Sequence, residues 1–199
     1  MENNKDMRNI SLELGRHFIE ACSYDLAVNA LTKAIAIEPY NAQIYDFRGI
    51  AYGSNRKHDE AIADFTMAIE IDNQLAAAYN NRALSHWALD MIEEALSDIN
   101  KAIELDSDVA VFFANRGLIQ YAKGDFHEAV LDYSVAILSG FDGIDAYNGR
   151  GEAYAALGEY EKALADFDQA LALNPNDVVA FANCALVNSL LKKQAQSDK

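Results

Sequence analysis

Apolar and small residues recur along this chain at helical spacing, in stretches separated by short polar breaks. Leu12, Gly15 and Ile19 mark the first stretch, and Ala27, Ala30, Leu31, Ala34 and Ile35 mark the second. Steps of three and four place each set on one face of an α-helix. The pattern then repeats. Gly117 and Gly151, Gly124 and Gly158, Ala129 and Ala163, and Ala136 and Ala170 each stand 34 residues apart. The same step links Ala27, Ala61, Ala95, Ala129 and Ala163, then Ala34, Ala68, Ala102, Ala136 and Ala170, then Gly15, Gly49, Ala83, Gly117 and Gly151. A period of this length indicates supersecondary units that stack on one another. The spacing therefore predicts an all-α solenoid with repeats at 8–41, 42–75, 76–109, 110–143 and 144–177.

Each repeat reads as a helix, a tight turn and a second helix. In the first repeat the helices are expected over 11–21 and 24–37, and Pro39 closes the unit because proline cannot continue a helix. The inner turns centre on Cys22, Arg56, Asp90, Gly124 and Gly158. Glycine suits such a helix end because it tolerates positive φ; the other three residues are less permissive. The fourth turn between repeats, residues 140–143, carries Phe141, which either tucks under the next repeat or marks a contact site. Residues 1–7 are expected to be a disordered leader and 192–199 a polar tail. A capping helix is expected over 178–191, with Phe181, Ala185, Leu186 and Leu190 on its packed face. That leaves Val187 and Leu191 uncovered. Either the tail folds over them, or they form a surface for homodimerisation. The pattern stops halfway through a sixth repeat, which leaves open that the chain is part of a longer array.

The small columns let two backbones approach closely, so a larger side chain would overpack them. Ala61, Ala95 and Ala129 are the expected weak points. A second pair of columns is charged. Arg48, Arg82, Arg116 and Arg150 are each followed sixteen residues later by Asp64, Asp98, Asp132 and Asp166, and the first repeat replaces both with Leu14 and Ala30. Pairing within a repeat explains all five rows, whereas pairing each Asp with the next repeat's Arg leaves Arg48 opposite Ala30. The expectation is four structural ion pairs, one inside each hairpin, with arginine chosen for its bidentate fork.

These columns resemble the tetratricopeptide repeat (TPR) family over residues 8–191. The fifth repeat carries the family's positions as Tyr147, Gly151, Tyr154, Ala163, Phe167, Ala170 and Pro175, and the second as Tyr45, Gly49, Tyr52, Ala61, Phe65 and Ala68. Departures are local: Arg150 stands in a leucine column, Ser11 replaces the opening aromatic, and His86 and Gln120 fill a column that is aromatic elsewhere. The resemblance implies a right-handed α-solenoid of helix-turn-helix hairpins whose first helices line a concave groove, where extended peptides often lie. Carried onto this chain, the groove residues are Phe47, Ile50, Asn80, Asn81, Leu84, Trp87, Asn115, Leu118, Tyr121 and Asn148. The middle is neutral; Glu13, Glu20, Asp46, Asp145 and Glu152 make the flanks acidic, with Arg16 the main basic exception. Asparagine can pair with a peptide backbone without reading its sequence, or it merely solvates the surface. Trp87, the only tryptophan, is the best candidate for a hot spot, with packing as its other role. Some family members clamp an acidic chaperone C-terminus with lysines and arginines. The matching columns, such as Leu12, Arg16, Phe47, Ala77 and Asn81, lack those cations, so that partner is not expected.

Composition narrows the function classes. The chain has 199 residues, 51% of them hydrophobic, and a formal charge of −15. Such acidity argues against nucleic acid, whose phosphates need a basic surface. No apolar run approaches the roughly 20 residues of a membrane span, and the polar start MENNKDMRN has no signal-peptide core. Cys22 and Cys184, at opposite ends of the array, read as buried free thiols in a reducing compartment, so the cytoplasm is expected. His17, His58, His86 and His127 share no helix at metal-ligand spacing. No phosphate-binding loop or nucleophile–base grouping emerges, so neither a cofactor, a metal nor an enzyme activity is expected. The expectation is a protein-interaction module that holds an extended, neutral-to-basic segment, with self-association through the C-terminal helix as the alternative.

Overall fold

A computed structural model describes the backbone of residues 2–141 and 143–197 and the side chains of residues 11–141 and 143–194. Eleven α-helices run through the described residues: α1 (Glu2–Glu20), α2 (Tyr24–Ile37), α3 (Ala42–Ser54), α4 (His58–Ile71), α5 (Ala76–Ala88), α6 (Ile92–Leu105), α7 (Ala110–Lys123), α8 (Phe126–Leu138), α9 (Ile144–Ala156), α10 (Tyr160–Leu173) and α11 (Val178–Ser197). The helices gather into two compact units, Met1–Ser107 with α1 to α6 and Asp108–Lys199 with α7 to α11. The division falls in the exposed stretch Asp106-Ser107-Asp108, which offers no large apolar side chain to either side.

Two ends differ from expectation. Helix α1 starts at Glu2, so residues 2–7 are helical rather than a disordered leader. Glu, Lys, Met and Arg are good helix formers, and no glycine or proline interrupts residues 2–14. Likewise α11 continues to Ser197, past the expected end at residue 191, through the helix formers Lys192, Lys193, Gln194 and Ala195.

Within each unit the odd-numbered helices contact one another in turn, α1 with α3 and α3 with α5, then α7 with α9 and α9 with α11. All but α11 also pack against their own hairpin partners. The small columns sit at these contacts: Ala61, Ala95, Ala129 and Ala163, and Ala34, Ala68, Ala102, Ala136 and Ala170, have no exposed surface. Facing Gly49 is Phe65, and facing Gly151 is Phe167; a Cβ on either glycine would stand 2.6 Å from the ring. The glycines are therefore there for room, not for backbone freedom. Turns between repeats are closed by Asx side chains. Asn41 Oδ1 accepts from the Gln43 N–H at 3.2 Å, Asp72 Oδ1 from Gln74 at 3.0 Å and Asn174 Oδ1 from Asn176 at 3.1 Å.

At the inner turns, Gly124 and Gly158 have φ of 92° and 77°, and Cys22, Arg56 and Asp90 adopt φ of 54°, 60° and 61°. These three non-glycine residues hold a backbone conformation that their Cβ disfavours. Arg56, exposed and with a side chain free to leave, gives the cleanest test. Arg56→Gly is expected to raise stability by about 1 kcal/mol, relief of strain outweighing the added chain entropy. A urea midpoint equal to or below that of the parent chain would contradict this.

The capping helix reverses the expected face. Val187 is 1% exposed and packs with Ala163, Phe167, Ala170 and Ala180, and Leu191 is half-buried against the same cluster. Phe181 and Leu186 are instead 71% and 59% exposed. The repeat register explains it. Ala180 and Val187 fall 34 residues after Ala146 and Ala153, both fully buried, so α11 presents the same core positions as α9. Val187 and Leu191 therefore do not form an open dimerisation surface. Phe141 packs against the cluster of Ala114, Ala129, Tyr133 and Ala146.

Candidate functional site

Arginine and aspartate meet inside four hairpins with the same geometry. Arg48 Nε and Nη2 donate to Asp64 at 2.7 and 2.7 Å, Arg82 to Asp98 at 2.8 and 2.7 Å, Arg116 to Asp132 at 2.8 and 2.7 Å, and Arg150 to Asp166 at 2.8 and 2.7 Å. All four aspartates are buried. Donating these hydrogen bonds to Asp64, Asp132 and Asp166 holds the Arg48, Arg116 and Arg150 guanidinium groups protonated, above their ordinary range. Each guanidinium also lies over an aromatic ring three residues back, at 5.6–5.9 Å for Tyr45, Tyr79, Phe113 and Tyr147. Saturated in this way, the pairs offer no free base or acid for chemistry.

Sequence reasoning missed the third partner. Arg48 Nη1 donates to Thr32 Oγ1 at 3.1 Å, Arg82 Nη1 to Thr66 Oγ1 at 3.0 Å and Arg150 Nη1 to Ser134 Oγ at 3.1 Å. Thr66 and Ser134 in turn donate to the carbonyl four residues earlier, at 2.7 Å each. In each of these cases one arginine ties its own hairpin to the preceding one. Thr32, Thr66 and Ser134 fall in one 34-residue column, a hydroxyl column that the periodicity could have exposed.

On the first-helix face of unit one, α3 and α5 present Phe47, Ile50, Asn81, Leu84 and Trp87, all half-buried. Ile50, Leu84, Trp87 and Asn81 line a cavity of about 330 Å³ floored by Phe65 and His58. Asn80 does not reach the surface. It is 8% exposed and donates Nδ2 to Asn81 Oδ1 at 3.2 Å, so it acts by orienting its neighbour. Asn81 Nδ2 in turn donates to Asp46 Oδ1 at 3.0 Å. Burial pushes the Asp46 carboxyl above the usual aspartate range, and the Asn81 bond partly offsets this. At the edge, the Arg16 guanidinium stands 5.5 Å over the Phe47 ring.

In unit two, α7 presents Asn115, Leu118 and Tyr121, again half-buried. Asn148, on α9, is buried and donates Nδ2 to Asp177 Oδ1 at 3.1 Å. Gly149 breaks the asparagine column for a packing reason: a Cβ there would stand 2.5 Å from the Tyr133 hydroxyl, which leans across α9. Among the described residues no three His, Cys, Asp or Glu side chains are placed to hold a metal ion, and no helix is long and apolar enough to cross a membrane. Cys184 is half-buried and Cys22 exposed, both free; the expectation of two buried thiols fails at Cys22 because it is itself the turn residue.

Two stacks of helical hairpins with a 34-residue register define a helical-repeat protein. Models of the tetratricopeptide repeat match residues 12–76, 76–109 and 144–177, and the chain belongs to the TPR family. The TPR fold is, in general, a protein-interaction fold. No curated protein sequence matches the chain. Among solved structures it is similar to MamA, at 23% identity and a TM-score of 0.70 over 84% of this chain and 92% of that one. A thermophilic TPR protein of Thermus thermophilus aligns at 19% identity and 0.76, over 90% and 98%. YrrB, a TPR protein described as having an unusual peptide-binding site, aligns at 20% and 0.68, over 86% and 89%. At these identities the likeness is one of fold.

Proposed function

We propose that the chain is a protein-interaction module whose first-helix faces hold extended segments of a protein partner. The cavity at Ile50, Leu84 and Trp87 carries this reading. It is open, largely apolar and lined by no lysine or arginine, and Asn81 stands at its edge to meet a peptide backbone. YrrB offers a precedent on the same fold. The formal charge of −15 favours a segment neutral or basic at its ends and disfavours an acidic chaperone C-terminus. Since the arginine–aspartate pairs are mutually satisfied, the reading is of a binder rather than an enzyme. Two free cysteines suit a reducing compartment, and the cytoplasm is the proposed location.

The test uses the single tryptophan. Segments selected from a random peptide library on the full chain are expected to shift the emission of Trp87. Trp87→Ala is expected to weaken them by about 2 kcal/mol, roughly thirtyfold, by fluorescence anisotropy. Selected segments that bind the variant equally well would move the site elsewhere.

A second reading rests on α11, where Val178 and Phe181, three residues apart on one side of the helix, are both exposed. Self-association there predicts a dimer by light scattering that Phe181→Asp dissolves. A monomer at all concentrations tested would remove it.

A further inference from the structure

The first-helix face of unit two holds a cavity of about 370 Å³ with a different chemistry. Three carboxylates line it, Asp145, Glu152 and Asp177. No described lysine or arginine forms an ion pair with any of them. Two are oriented by amides. Asn183 Nδ2 donates to Glu152 Oε1 at 2.9 Å, and Asn148 Nδ2 donates to Asp177 Oδ1 at 3.1 Å, an oxygen that also takes the Ala180 N–H at 2.7 Å.

Acidic side chains alone define nothing, but Asn148 adds an independent mark. It lines the same cavity, is only 7% exposed, and its buried Oδ1 has no hydrogen-bond donor. Buried amide oxygens are almost always satisfied by protein or water, so the Asn148 oxygen can still accept a hydrogen bond. Tyr133 contributes as well. Burial, and then the charge of Glu152, push its hydroxyl further above the usual phenol range, so it stays a neutral dipole beside the carboxylates. Leu118, Phe141 and Val179 complete the lining with apolar surface.

The occupant needs N–H donors, a positive charge and an apolar stem. A metal ion is a poor match, since no three acidic, histidine or cysteine side chains among the described residues converge closely enough. Guanidinium is planar, carries five donors and reaches several separated acceptors at once, while its methylene stem covers apolar surface. We propose that this cavity receives an arginine side chain of a segment bound to the first-helix face of unit two. The occupant rests on the peptide-binding reading; the cavity chemistry stands without it.

The experiment titrates the full ¹⁵N-labelled chain with N-acetyl-arginine amide. The control is N-acetyl-citrulline amide, which keeps the shape but replaces the guanidinium with a neutral urea. Arginine amide is expected to give saturable shifts at the Asn148 side-chain amide and at the backbone of residues 145–152 and 177–180. Citrulline amide, Glu152→Gln and Asp145→Asn are each expected to weaken binding by about tenfold. Glu152→Gln keeps the acceptor for Asn183, and Asp145 is exposed, so neither variant should disturb folding. Equal response to the citrulline analogue, tighter binding of N-acetyl-lysine amide, or no shift at Asn148 would overturn the assignment. Failure of the wider reading looks different. Arginine amide would still bind here while selected segments left Trp87 emission unchanged.

Discussion

Asp98→Ala is expected to destabilise unit one by about 3–5 kcal/mol, because it leaves Arg82 charged and unpaired beside a buried hairpin seam. Asp98 is the costliest of the four aspartates to remove. Besides both Arg82 contacts it meets His86 Nδ1 at 3.1 Å, at a position where the other three repeats carry Tyr52, Gln120 and Tyr154. The melting temperature should fall by roughly 10 °C or more. Hydrogen exchange should rise first in α5 and α6, since a repeat protein loses stability locally before it loses it globally. The same physics makes a second variant informative. Replacing a buried pair by apolar residues is often near neutral, and the first repeat already does so with Leu14 and Ala30. Arg82→Leu/Asp98→Ala is therefore expected to recover much of the loss. An Asp98→Ala protein that melts with the parent chain would show that the pair contributes nothing.

Ala61→Leu is expected to cost about 3 kcal/mol, the upper end for overpacking a core site. Ala61 has no exposed surface and lies where α4 meets α3; a Cβ on Gly53 would already touch its methyl at 3.7 Å. Phe65, one turn on, is 2% exposed and blocked by Gly49, so it cannot yield. Leucine has a higher helix propensity than most residues, and propensity alone would predict almost no change. Ala63→Leu, on the exposed side of the same helix, supplies that comparison and should stay within about 0.5 kcal/mol. If the two variants unfolded at the same urea concentration, close backbone approach would not be the reason for the alanine column.

Most of the helical frame is legible in the sequence because the period is strict and its columns have one physical job each. The turn centres at Cys22, Arg56 and Asp90 follow from the register alone, although none is glycine. What escapes has weaker or non-periodic signals. On α11, Phe181 and Leu186 are larger apolar residues and draw the eye, while the register puts Ala180 and Val187 on the core. The hydroxyls of Thr32, Thr66 and Ser134 are easily passed over because residues of that type are ordinary on a helix surface. Tyr133 occupies a core column, and only the geometry shows its hydroxyl reaching Gly149 on the face that also carries Asp145 and Glu152. The division at Ser107–Asp108 has no compositional break of its own, since neighbouring turns are also acidic. Asn80 and Asn148 lie one position before Asn81 and Gly149, and that single step turns them from surface amides into buried ones.

Whether the first helices, rather than the second, meet the partner is decided most directly by hydrogen–deuterium exchange of the full chain, with and without a selected segment. For a segment that shifts Trp87 emission, protection is expected in α3 and α5, with α4 and α6 unchanged. Protection confined to the second helices would contradict this and place binding on the opposite face.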